Sequence, residues 1–136
     1  MDDPLGDEQL LSAAGWSGVP SARILARAAT STACVLALDS NGGQGGRTYV
    51  TVEMLARTDG QAWESIGDWG PADGGGTGWF DGHAYAIGHV GHGIERVLVQ
   101  IAGEVVERPV ETDGWWAAIT ATRHPTSDPV EVVEIP

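Results

Sequence analysis

The chain has 136 residues, 42% of them apolar, with 19 acidic residues against 7 arginines, no lysine and a net charge of −12. This length and apolar content fit a single domain with its own core and exclude global disorder. The charge speaks against nucleic acid and against anionic membrane surfaces, both of which need a basic footprint, and no apolar run reaches membrane-spanning length.

The N-terminus, Met1-Asp2-Asp3-Pro4, lacks the basic and apolar regions of a secretory signal. As written, the expectation is a cytoplasmic protein, with an exported mature form left open. The arginine-only basic set and the Ala/Gly/Val/Asp-rich usage are what a GC-rich genome produces. Residues 1–19 read as an acidic arm, either disordered or holding one short helix. That helix would place Leu10, Leu11, Ala13 and Ala14 after a cap at Asp7 and stop at Gly15.

Residues 20–136 read as a single all-β domain. The alanine-rich run 22–28 is the first expected strand, although it suits a helix about as well. Residues 33–38 make a clearer one, with Val35 and Leu36 between turn-prone ends. The lone Cys34 in that run reads as a small buried hydrophobe. A glycine-rich loop over 39–46 leads to the longest expected strand, 47–57, where Tyr49, Thr51 and Glu53 oppose Val50, Val52 and Met54. Asp59-Gly60 then marks a tight hairpin into residues 61–66. Thr58-Asp59-Gly60-Gln61-Ala62-Trp63 resembles a shortened Asp-box, the hairpin of sialidase-like propellers. It lacks the residue between Asp59 and Gly60 and covers one hairpin only, so the resemblance implies a turn and no sialidase activity.

Residues 67–82 read as one long irregular loop containing Pro71, the run Gly74-Gly75-Gly76, and Trp69, Trp79 and Phe80. Alternation resumes over 83–90. In 95–101, Val97, Val99 and Ile101 share one parity. Ala102-Gly103 interrupts, 104–111 resumes, and Asp113-Gly114 reads as a hairpin turn into Trp115, Ala117 and Ile119. These three runs are expected to form an antiparallel meander. Residues 130–135, between Pro129 and Pro136, suit an edge strand. The sum is eight or nine short strands in an antiparallel β-sandwich or open barrel.

Candidate chemistry is sparse. If 81–90 is extended, His83, Tyr85, Ile87 and His89 share a face. Asp81, His83, His89 and His92 are then the candidate metal ligands, although His89 and His92 straddle a turn and no helical zinc motif is present. His124 lies apart. The run 42–48 is no phosphate loop, because Arg47 stands where lysine is required and a strand follows. Gly15-Trp16-Ser17-Gly18 lacks the strand before a nucleophile elbow. No cofactor is expected.

Six tryptophans are the stronger signal. Trp115 and Trp116 are adjacent on one strand and must face opposite sides, so the outward ring needs a second layer or a partner to cover it. Trp69, Trp79 and Phe80, with Tyr85 and Trp116, are the candidate ligand-contacting residues, since aromatic rings stack on sugars, peptides and apolar surfaces. The first reading is therefore a non-catalytic binding or interaction module, its contact surface on the aromatic, glycine-rich segment 67–82 and its partner a protein, carbohydrate or other small molecule. The alternatives are a small metal-dependent or histidine-based enzyme using His83, His89 and His92, and a self-associating subunit paired through the Trp115/Trp116 face or the terminal edge strand.

Overall fold

A short helix, α1 (Asp7–Ala13), opens the described chain. The computed structural model describes residues 6–16, 22–40, 49–58, 60–123 and 130–136, the side chain of residue 7 excepted. Asp59, most of the 39–46 loop, Ser17-Gly18, His124 and Pro129 lie outside the described residues. The helix starts one residue earlier than expected, with Gly6 at the N-cap and Asp7 as its first residue. Its stop falls at Gly15 as expected. Gly15 takes φ +87° and donates to Ser12 O while Trp16 N–H donates to Leu11 O. These two bonds form a Schellman motif, which only a residue at ease with positive φ closes without strain. The motif turns Trp16 back toward the sheet below.

Among the described residues ten strands follow, all in antiparallel sheets. β1 (Arg23–Ala29), β2 (Ala33–Asp39), β3 (Val50–Ala56) and β4 (Glu64–Trp69) form the first sheet in chain order. β5 (Gly75–Phe80), β6 (His83–His89) and β9 (Trp115–Ala121) form a second, and β10 (Glu131–Ile135), β7 (Arg96–Ile101) and β8 (Glu104–Pro109) a third. Three apolar clusters order these as layers. Leu10, Ala14, Cys34, Leu36 and Leu55 join α1 to the first sheet. Val35, Val52, Phe80, Tyr85, Ile87, Trp115 and Ile119 lie between the first and second sheets. Ala86, Val97, Val99, Ile101, Trp116 and Ala118 lie between the second and third. The second sheet is therefore the middle layer, and β6 and β9 are buried on both faces. Among the described residues no helix is long and apolar enough to cross a membrane.

Two sequence expectations change here. The Asp113-Gly114 turn has the positive φ values of a hairpin, +55° and +86°. It does not join a hairpin, however, because β8 pairs with β7 while β9 pairs with β6. The run after the turn is apolar at both parities from Trp115 to Ile119, which suits a strand buried on both faces rather than the outer strand of a meander. The second change concerns residues 67–82, most of which are strand: β4 runs to Trp69 and β5 begins at Gly75. Ala102-Gly103 joins β7 and β8 in a tight hairpin where the sequence places the interruption, and Asp81-Gly82 joins β5 and β6 in another, each with two positive φ values.

The layers are also tied by side chains. Arg108 on β8 donates from Nε to Ala117 O on β9 (2.7 Å) and from Nη2 to Arg27 O on β1 (3.0 Å), touching all three sheets at once. Arg23 pairs with the buried Asp39 at 3.2 Å and with Asp113 at 2.9 Å, fixing the turn before β9 against β1.

Candidate functional site

The glycines of β5 and β6 are where aromatic rings from other strands come to rest. A Cβ on Gly76 would strike the Trp69 ring, one on Gly78 the Tyr85 ring, and one on Gly88 the Trp116 ring. A glycine-rich segment is thus a strand because only glycine leaves space for these rings. Trp69 Nε1–H donates to Tyr85 Oη at 2.6 Å, and Phe80 meets Tyr85 edge-on with ring centroids 5.7 Å apart. Burial raises the Tyr85 phenol above its ordinary value, opposed by the Trp69 hydrogen bond.

Of the five candidate contact residues, Trp69, Phe80 and Tyr85 form this aromatic cluster between the first and middle sheets. Trp79 is 38% exposed on β5 and donates to Thr122 O at 3.2 Å. Trp116 points the other way, into the layer between the middle and third sheets. The cover demanded by the second of the paired tryptophans is the chain's own third sheet.

That second interface is not filled along its whole width. Val97, Val99, Ile101 and Trp116 pack it under β6 and β9. At the β5 and β10 side the facing positions are Gly75, Thr77, Ala86 and Gly88 below, with Val132 and Glu134 above. These small residues leave a cleft of about 520 Å³ between the sheets. Asp73, Gly74 and His89 form its rim and also border an adjoining hollow of about 310 Å³ beside Trp115. Asp73 and His89 were not legible from sequence as a group with Val132 and Glu134, because β10 begins 42 positions after β6 ends.

The histidines do not converge. His83 Nδ1 lies 2.8 Å from Asp81 O and so donates to it, while Nε2 meets the Thr30 hydroxyl at 2.9 Å. His89 stacks edge-on to Trp115 and donates from Nε2 to Asp113 O at 2.9 Å. The two share a face of β6, as the alternation predicts, but stand at its opposite ends. Six steps along the strand separate them by about 20 Å. His92 is exposed in the connection beyond. Among the described residues no group of three His, Cys, Asp or Glu lies close enough to hold a metal ion, which corrects the grouping of Asp81, His83, His89 and His92.

One acidic pair lies on the opposite side of the molecule. Glu53 on β3 is 2% exposed, accepts Trp16 Nε1–H at 3.0 Å, and is the cross-strand neighbour of Asp68 on β4. Burial raises its carboxyl to about 7; the Trp16 bond opposes this, and the adjacent Asp68 adds to it. Neither cavity reaches this pair. Its geometry ties the arm carrying α1 to the first sheet. No family model matches this chain, and neither a curated protein nor a solved structure matches it significantly.

Proposed function

We propose that this protein is a non-catalytic binding module whose contact surface is the cleft between the middle and third sheets, along the edge of β5. The observation that carries the reading is that one interface is filled along part of its width and open along the rest. Where β7 faces β6 and β9, Val97, Val99, Ile101 and Trp116 fill the layer over Ala84, Ala86 and Ala118. Where β10 faces β5, Gly75 and Thr77 lie below Val132 and Glu134 and the layer is left open. A cleft of this volume is within the ordinary range for ligand sites. The segment 67–82 contributes through Asp73–Thr77, and Trp116 lines the back of the cleft. The histidines lend no support to an enzymatic reading, since His83 and His89 are each held by main-chain carbonyls at opposite ends of one strand.

The test is an amide-shift screen of the ¹⁵N-labelled chain against monosaccharides, small aromatic amines and acids, and short blocked peptides. Shifts converging on Gly75, Thr77, His89 and Val132 for at least one probe class are expected. If no probe moves these residues, the reading is wrong.

A further inference from the structure

We infer that the occupant of this cleft is an extended, basic peptide segment that adds to β5 as a fourth strand of the middle sheet, an inference that rests on the binding-module reading and names its partner. The hairpin fixes which backbone groups of β5 are free. Phe80 and His83 flank the two-residue turn Asp81-Gly82 and therefore form a hydrogen-bonded pair. Alternation then turns the N–H and C=O groups of Gly78 and Gly76 toward β6, and those of Trp79, Thr77 and Gly75 toward the open edge. Among the described residues no backbone hydrogen bond reaches those outward groups.

Open edges invite pairing, and proteins blunt them with charge, proline or covering groups. Among the described residues, five of the six edge strands follow that rule. β4 carries Glu64 and Asp68, β10 carries Glu131 and Glu134, and β8 carries Glu104, Glu107, Arg108 and Pro109. On β1, Arg27 N–H donates to Glu111 Oε2 and Arg27 O accepts from Arg108. On β9, Ala117 O accepts from Arg108. β5 reads Gly-Gly-Thr-Gly-Trp-Phe, with no charge and no proline. The side-chain positions of Thr77 and Trp79 lie on the face of β5 opposite Phe80, which is the face toward the third sheet, so an added strand would send alternate side chains into the cleft.

Charge selects the strand. Asp73 and Glu134 border the cleft, and among the described residues no arginine does. Arginine or lysine at alternate positions of an incoming strand would meet these carboxylates, with a main-chain ladder supplying the rest of the affinity. A second copy of this chain would instead bring its own Asp73 and a further −12 of charge to the same edge.

The experiment titrates the ¹⁵N-labelled full chain with a blocked hexapeptide of alternating arginine and valine, and with its glutamate–valine counterpart. The arginine peptide should shift Gly75, Thr77, Trp79 and Val132 and slow amide exchange at Thr77 and Trp79; the glutamate peptide should do neither. Thr77→Pro removes an outward N–H while keeping the edge strand, and should weaken binding about tenfold, the worth of one to two hydrogen bonds. Should that variant misfold, the Asp73→Asn/Glu134→Gln pair replaces it and should weaken binding by about fivefold. Equal binding of both peptides, unslowed exchange at Thr77 and Trp79, or unchanged affinity in the folded variants overturns the inference. So do concentration-dependent shifts of the same amides without peptide, which would mark a second copy. If neither peptide binds but sugars or small aromatics still move Gly75, Thr77 and Val132, the peptide falls and the binding-module reading stands. If nothing moves them, both fall.

Discussion

The indole of Trp116 occupies the space over Gly88, its neighbour on the adjoining strand, where a Cβ would stand. The contact decides how the middle layer packs. It lets a ring from β9 lie across β6 while Val97, Val99 and Ile101 of β7 close over the same layer. Gly88→Ala forces that ring out of place and should cost about 2 kcal/mol, the usual penalty for overpacking a dense core. Gly91→Ala, whose Cβ would meet nothing within 4 Å, should change stability by less than about 0.5 kcal/mol. Urea unfolding of the two variants checks the contrast, and equal losses would contradict it.

Arg108 seals two sheet edges by donating to carbonyls on β9 and β1. Arg108→Met keeps the apolar stem but removes both donors, leaving half-buried carbonyls unpaired. The loss should be about 2 kcal/mol. Amide exchange should rise in both β1 and β9, strands that belong to different sheets, whereas a purely local effect would loosen β8 alone.

Glu53 makes stability depend on pH in a direction opposite to most carboxylates. Its folded value of about 7 lies above its ordinary 4.5, so the folded state holds the proton more tightly than the unfolded chain. The resulting stabilisation is full below about 4.5 and is lost as pH rises through about 7. Glu53→Gln retains an acceptor for Trp16 Nε1–H and cannot ionise. Between about pH 5 and 8 the parent should lose stability relative to this variant, and the two should agree near pH 4. Parallel melting curves across that range would refute the assignment.

Cys34 is buried beneath α1, and burial pushes its thiol up to about 12, with Arg27 opposing. A thiol so placed holds almost no thiolate at neutral pH. Alkylation by iodoacetamide at pH 8 should therefore follow the opening of the fold rather than the chemistry of the thiol. Denaturant-independent labelling at the rate of a free cysteine would contradict this.

Much of the fold was open to reading in the alternation of residues. Val97, Val99 and Ile101 are buried while Arg96 and Gln100 are exposed, as their parity requires. The first four strands fall near their expected places because each pairs with its sequence neighbour. The failures have a common physical cause. Asp113-Gly114 specifies a backbone turn but not which strand comes next to it, and that partner is chosen by burial of both faces of β9. Gly75–Phe80 resembles a loop until Trp69 and Tyr85 are placed over its glycines, and those rings arrive from other strands. The Asp81-Gly82 hairpin was readable in principle, but the glycine run before it drew the whole segment into one loop. The cleft was not readable at all, since it depends on β10 lying over β5, strands that begin 56 positions apart (131 against 75).

The central claim is that β5 presents a free edge beside that cleft. Residue-resolved amide exchange of the chain without ligand tests it most directly. Gly76, Gly78 and Phe80 should be protected by β6, while Gly75, Thr77 and Trp79 exchange freely, giving strict alternation along the strand. Uniform protection across Gly75–Phe80 would mean that the edge is already covered, and would contradict the account.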